Sequence, residues 1–138
     1  MGNRTLGIIK PDCVEAGHTG EIIDKLIKAG FKIVGLKKMR IGEPQARKFY
    51  EVHEGQPFYE GLVQFMTSGP VIVMALEKDN AVQEFRSFIG ATDPAKAPEG
   101  SIRREFGTDI RKNCVHGSDS DENANREIYF FFNEVELI

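Results

Sequence analysis

Six consecutive apolar residues, Val71-Ile72-Val73-Met74-Ala75-Leu76, constrain this chain more than any other feature. The run follows the turn-forming Ser68-Gly69-Pro70 and is too short for a long helix. It is apolar at odd and even positions alike, so a strand built from it must be covered on both faces, as the central strand of a sheet is. Other segments arrange themselves around it. Thr5-Leu6-Gly7-Ile8-Ile9-Lys10 reads as a first strand ended by a Pro11-Asp12 turn. Gly20 to Ala29, with Ile22, Ile23, Leu26 and Ile27 on one face, reads as a helix closed by Gly30. Phe31 to Leu36 is a second strand, followed by the basic Lys37-Lys38-Met39-Arg40.

Pro44 predicts the first turn of a helix carrying Ala46, Phe49 and Tyr50, and Tyr59 to Thr67 predicts a second. After the central run, Asn80 is placed to cap a helix with Val82, Phe85, Phe88 and Ile89 inward, stopped by Gly90. Ala91 to Ser120 is rich in Pro, Gly, Asp, Asn and Arg, and a stretch that irregular tends to carry function. A capped helix near Ser120 to Arg126 precedes Ile128-Tyr129-Phe130-Phe131-Phe132, which reads as the closing strand. The order predicts an α+β fold, a ferredoxin-like βαββαβ sandwich. It would have an antiparallel four-stranded sheet covered by helices and an inserted helical pair before the third strand. One sheet face would hold helices, the other being free for loops or a partner subunit.

The 138 residues fit one domain spanning 1–138, and 41% apolar with 28% charged residues suits a self-sufficient core. Eighteen Lys and Arg against 21 Asp and Glu give a net charge of −3, which argues against a general nucleic-acid coat while allowing a local basic pocket. Cys13 and Cys114 have no metal-like spacing and read as two free thiols in a reducing compartment. No apolar run approaches the roughly 20 residues of a membrane span. The N-terminus lacks a secretory pattern, and Leu6 stands where a myristoylation site wants Ser or Thr. A cytoplasmic protein without a membrane partner is expected.

Asn113-Cys114-Val115-His116-Gly117-Ser118-Asp119-Ser120 gathers polar groups around one histidine. Imidazole, with an ordinary pKa of ~6.5, is a nucleophile near neutral pH. Gly117 would admit backbone or substrate closely, Ser118 and Asp119 offer hydrogen bonds, and Glu127 could reach back to orient the ring. Arg103, Arg104 and Arg111 lie nearby in sequence, with Arg86 on the preceding helix and Lys10 at the first strand's end. Guanidinium forks suit phosphate oxygens. Neither standard glycine-rich phosphate loop is present, so side chains must hold any nucleotide. Phe58 could offer a face to a base. His18 and His53 read as structural or solvated, and a Cys114–His116 thiol pair is the weaker nucleophile. An RNA-recognition module shares the element order but needs exposed aromatics on its central strands, which Val71 to Leu76 lacks. A nucleotide sensor without turnover is the remaining alternative.

Asn113-x-x-His116-Gly117-Ser118-Asp119-Ser120 resembles the active-site signature of nucleoside diphosphate kinases. The likeness extends over nearly the whole chain. It runs through Ile8-Ile9-Lys10-Pro11-Asp12, Phe49-Tyr50-x-x-His53 to Pro57-Phe58, and Phe65-Met66-x-Ser68-Gly69-Pro70. It continues through Gly90 to Pro94, Gly100 to Arg103, and Glu127-Ile128-x-Phe130-Phe131-Phe132. The resemblance implies ping-pong transfer of the γ-phosphate of a nucleoside triphosphate, chiefly ATP, to a nucleoside diphosphate, maintaining (deoxy)nucleoside triphosphate pools.

On the same resemblance His116 would carry the phosphate as phosphohistidine. Lys10, Tyr50, Arg86, Thr92, Arg103 and Asn113 would bind phosphates and ribose. Phe58 would stack on the base with Leu62 and Ile110 lining the slot, and Ser118 and Glu127 would position the histidine. Mg2+ would be held mainly by nucleotide phosphates, with no direct protein ligand and Asp119 acting through water. No nucleic acid is required as a partner. Gln56 replaces a usual basic residue, Tyr59 a frequent Phe, and the tail stops at Ile138. The family's homo-oligomers are tetramers or hexamers, and the short tail points towards a bacterial tetramer.

Overall fold

Strands that are apolar on both sides take the middle of the sheet. In the computed structural model, which describes residues 2–138, the elements run β1 (Arg4–Ile9), α1 (Pro11–Glu15), α2 (Thr19–Lys28), β2 (Lys32–Met39), α3 (Glu43–Phe49) and α4 (Tyr59–Met66). They continue as β3 (Val71–Glu77), α5 (Ala81–Ile89), α6 (Ile102–Phe106), β4 (Val115–Gly117) and α7 (Asp121–Phe131). The four strands are antiparallel in the order β2-β3-β1-β4. This is the ferredoxin-like sandwich, with α3 and α4 as the inserted pair.

Strand alternation divides the core in two. Leu6 and Ile8 of β1, with Val71, Val73 and Ala75 of β3, meet Phe49, Val63, Met66 and Ile128 from α3, α4 and α7. Ile9, with Ile72, Met74 and Leu76, meets Ile22, Leu26, Phe85, Ile89 and Ile102 from α2, α5 and α6. Both faces are therefore covered, and the expectation of one face free for loops or a partner is overturned. The apolar residues at both parities of β3 demanded it. The same cover removes the exposed aromatic platform of an RNA-recognition module.

The closing strand is also different from expectation. Ile128 to Phe131 continue a helix, and the fourth strand is the three-residue β4 that carries His116. An aromatic run favours strands, but here the start signal of α7 prevails. The Ser120 side chain accepts from Asn123 N–H, Asp121 and Glu122 occupy the first turn, and Ala124, Glu127, Ile128 and Phe131 are buried at helical spacing. The predicted Pro11-Asp12 turn opens α1, with Pro11 in its first turn. Strand β2 runs on through the basic stretch to Met39, where Lys37 and Lys38 suit a strand at the sheet edge. Asn80 precedes α5 but adopts a left-handed conformation (φ 55°, ψ 46°) and its side chain makes no cap.

Gly7 and Gly117 face each other across β1 and β4. A Cβ on Gly7 would lie 2.9 Å from the Phe85 ring, and one on Gly117 would lie 3.0 Å from Phe85 and Ile89. Gly117 thus admits helix α5, an intramolecular close approach. Cys13 and Cys114 form a disulfide between α1 and the residue before β4, with Cα atoms 5.2 Å apart, which corrects the reading of two free thiols. Residues 101 apart in sequence gave no hint of their spatial proximity. Phe85, 1% exposed, sits under the Gly7–Gly117 pair. Phe85→Ala is expected to cost about 3–5 kcal/mol, read as a lower denaturation midpoint with an unchanged m-value.

Candidate active site

The register of β4 aims the histidine. His116 pairs with Ile8, whose side chain enters the core under α3, α4 and α7, while Val115 pairs with Ile9 and joins the opposite core. The His116 ring therefore meets Phe49 (centroids 5.4 Å) and Tyr50 (6.1 Å) at the end of α3. Helix α7 supplies the partner: Glu127 Oε1 lies 2.8 Å from His116 Nε2. Ser118 Oγ donates to the same Oε1 at 2.8 Å and accepts from Leu6 N–H. Burial pushes the Glu127 carboxyl up, but the bonds from His116 and Ser118, with the nearby Arg126, hold it below the usual range. Glu127 is thus an ionised acceptor, so Nε2 carries the proton.

A second group of side chains forms at the end of β1. Lys10 Nζ donates to Asn113 Oδ1 at 2.8 Å, and Asn113 Nδ2 donates to the carbonyls of Thr92 and Ile110. Both amide hydrogens of Asn113 are thereby used within the protein. Arg103 donates to the carbonyls of Gly90 (3.0 Å) and Val115 (2.7 Å), while its buried Nε has no partner. Burial and then the neighbouring Arg86 bring Arg103 down to about 10. Burial, with Arg103 adding to it and Asp12 opposing, brings Lys10 down to about 8. These cations are desolvated and crowded before any anion arrives.

A cleft of about 1200 Å³ joins the two groups. It is lined by His116, Lys10, Tyr50, Phe58, Leu62, Arg86, Thr92, Arg103, Ile110, Asn113, Asp119 and Glu127. Six cationic side chains face it against four carboxylates, an excess of positive charge on a chain of net charge −3. Phe58 (45% exposed) and Ile110 (62%) present bare apolar surface at one end. The Tyr50 hydroxyl is buried without a partner, and burial followed by the charge of Glu127 raises its pKa. Hydrogen bonding from Asn123 leads the effects that lower Asp119.

Ser118 is the one predicted site residue that stands behind the cleft rather than on its wall. Arg104 lies outside the cleft and donates to the Ala95 carbonyl, whereas Arg111 lines it. His53, read as structural or solvated, also lines it, its ring 5.1 Å from Phe58. Its three-residue spacing from Tyr50 at the end of α3 was the available signal. Lys112 and Arg126 join the lining as well. Cys114 is bonded to Cys13 and is not a nucleophile.

Sheet, cleft and charge together define an α+β protein with an anion-attracting site around one imidazole. A family model described as nucleoside diphosphate kinase matches residues 3–137. The chain is 55% identical over 130 residues to a nucleoside diphosphate kinase of Flavobacterium psychrophilum, covering 94% of each. It is 51% identical over 135 residues to one of Geotalea uraniireducens, covering 98% of each. Its structure resembles the Aquifex aeolicus nucleoside diphosphate kinase with a TM-score of 0.96 at 45% identity, covering 99% of both chains. The Halobacterium salinarum enzyme in complex with CDP gives 0.95 at 43% identity, covering 100% of this chain and 92% of that one. The chain belongs to the nucleoside diphosphate kinase family, enzymes that transfer phosphate between nucleotides.

Lys10 is protonated below about pH 8 and neutral above it in the nucleotide-free enzyme. Because the substrate is anionic, kcat/KM for ATP is expected to fall as pH rises through that value, approaching about tenfold for each further unit. A profile flat to pH 10 at constant ionic strength would exclude the charge of Lys10 from substrate capture.

Proposed function

We propose that His116 is the phosphoryl carrier of this kinase. The observation that carries the reading is the Glu127 Oε1 contact to His116 Nε2 at 2.8 Å. With Nε2 protonated and held by a carboxylate, the lone pair is on Nδ1. Nδ1 attacks the γ-phosphorus, the bond from phosphorus to the β–γ bridging oxygen breaks, and the nucleoside diphosphate leaves with that electron pair. An acceptor diphosphate then takes the group by the reverse displacement. Glu127 stabilises the charge that develops on the ring, while Ser118 fixes Glu127.

Lys10, Arg86 and Arg103 would neutralise phosphate oxygens, which is most of what phosphoryl transfer asks of a protein. Arg103 and Asn113 arrive already anchored, so little ordering remains when substrate binds. Tyr50 and Thr92 complete the phosphate and ribose contacts. Phe58 would stack on the base opposite Ile110 and Leu62. Stacking does not distinguish bases, because every base has a π-face.

Mg2+ is the divalent cation we assign to the reaction. Among the described residues no group of three or more His, Cys, Asp or Glu is placed to enclose a metal ion. On this reading the cation is carried by the nucleotide phosphates, with Asp119 reaching it through water. When bound, Mg2+ would screen phosphate charge and align the chain for in-line attack. We further assign a homo-oligomer, tetramer or hexamer, acting in the cytoplasm where nucleotide pools are maintained. Disulfides are scarce in such a compartment, but Cys13 and Cys114 are 1% and 0% exposed and sheltered from soluble reductants.

Incubation with γ-labelled ATP is expected to leave acid-labile, alkali-stable label on His116, discharged by any nucleoside diphosphate. His116→Ala should fold normally and take no label, and label on a hydroxyl side chain would overturn the reading. Glu127→Gln keeps the shape but not the charge and is expected to slow turnover by about a hundredfold. Phe58→Ala is expected to raise KM for purine and pyrimidine nucleotides alike, by the equivalent of about 1–3 kcal/mol. A loss confined to one base would contradict base-indifferent stacking.

A further inference from the structure

Among the described residues only Asn80 and Cys114 combine a side chain with a positive φ, 55° and 77°. Asparagine tolerates the left-handed region because its side chain can bond locally; cysteine has no such compensation. Cys114 also occupies a critical place. It follows Asn113, which holds Lys10, and precedes the strand that carries His116. The direction of the backbone at this one residue sets the separation between the phosphate-binding group and the nucleophile.

Three restraints hold Cys114, and all come from the segment Lys10 to Cys13. Its N–H donates to Asp12 Oδ2 at 3.2 Å, its carbonyl accepts from Lys10 N–H at 2.8 Å, and its sulfur is bonded to Cys13. Asp12 makes the only side-chain hydrogen bond of the three. The carboxylate does not line the cleft, and its second oxygen, Oδ1, is buried with no partner. A half-desolvated carboxylate with one orphaned oxygen is costly to keep; its charge also favours protonated Lys10, an effect that Asp12→Asn removes while keeping an acceptor for Cys114.

We infer that Asp12 is a positioning residue for phosphoryl transfer, holding Cys114 in its left-handed turn so that Asn113 with Lys10 stays in register with His116. The inference rests on the functional reading above for its account of what is being positioned. Its effect is read in steady-state kinase turnover, so the result stands whether or not the intermediate is on His116. Labelling of the wild-type protein judges that separate point.

The test uses full-length Asp12→Ala, Asp12→Asn, Cys114→Gly and the Asp12→Ala/Cys114→Gly double variant. All, with the wild type, are unfolded, reduced with excess dithiothreitol, refolded and assayed in the same reductant, so that the Cys13–Cys114 bond contributes to none. Asp12→Ala is expected to lower kcat about tenfold or more, since small misplacements in a phosphoryl-transfer site are expensive. Asp12→Asn keeps an oxygen to accept the Cys114 N–H and should retain most of the turnover. Glycine takes a positive φ without steric cost, so Cys114→Gly alone should change little and the double variant should recover most of the lost kcat. Asp12→Asn as slow as Asp12→Ala, or a double variant no faster than Asp12→Ala, would overturn the inference. If Asp12→Ala alone does not fold, the double variant decides: a folded and active protein supports the inference and a folded, inactive one refutes it.

Discussion

Burial of β1 and β3 on both faces governs the rest of this molecule. A sheet whose central strands are apolar on each side has no room for charged chemistry along its length. Polar groups can be brought together only where strands end or where an edge strand is short. Lys10 lies one residue beyond β1, and His116 sits on a three-residue edge strand. Helices α3 and α7, packed to cover one face, deliver Phe49, Tyr50 and Glu127 to the same place. The site is a consequence of how the core is closed.

Electrostatics then separates the roles of similar groups. Lys10 and Arg103 crowd each other in a desolvated corner, which lowers both and makes an incoming polyanion welcome. Glu127 is buried as well, yet its hydrogen bonds from His116 and Ser118 keep it ionised. The carboxylate is spent on the ring, so the cleft keeps its positive excess. Arg103 and Asn113 are committed to backbone carbonyls before substrate binds. Pre-organisation of this kind reduces the entropy lost on binding.

Long periodic elements were legible in the amino-acid order. The helix around Leu26 and Phe85, the strand Val71 to Leu76 and the inserted helical pair each carry an internal pattern strong enough to read. Of the residues that line the cleft, His116, Lys10, Arg86 and Arg103 were visible as charge and nucleophile near turns, and most of the others came through the family signature. Less visible were features that depend on partners distant in sequence. Strand β4 has three residues and exists because β1 offers it a ladder. The aromatic run after Arg126 had strand-like composition, and only the capped helix preceding it shows that it continues as α7. His53 entered the cleft because α3 ends beside the Phe58 turn. The Cys13–Cys114 pairing joins residues 101 apart.

The sequence by itself determined the α+β sandwich, the burial of its central strands and the presence of an imidazole among arginines, because hydrophobic period and residue chemistry are local properties. The tertiary structure decided which helix faces which side of the sheet, which nitrogen of His116 meets Glu127, and which arginines turn inward. Those depend on register and on close packing between segments far apart in the chain, where a shift of one residue reverses the face on which a side chain lies.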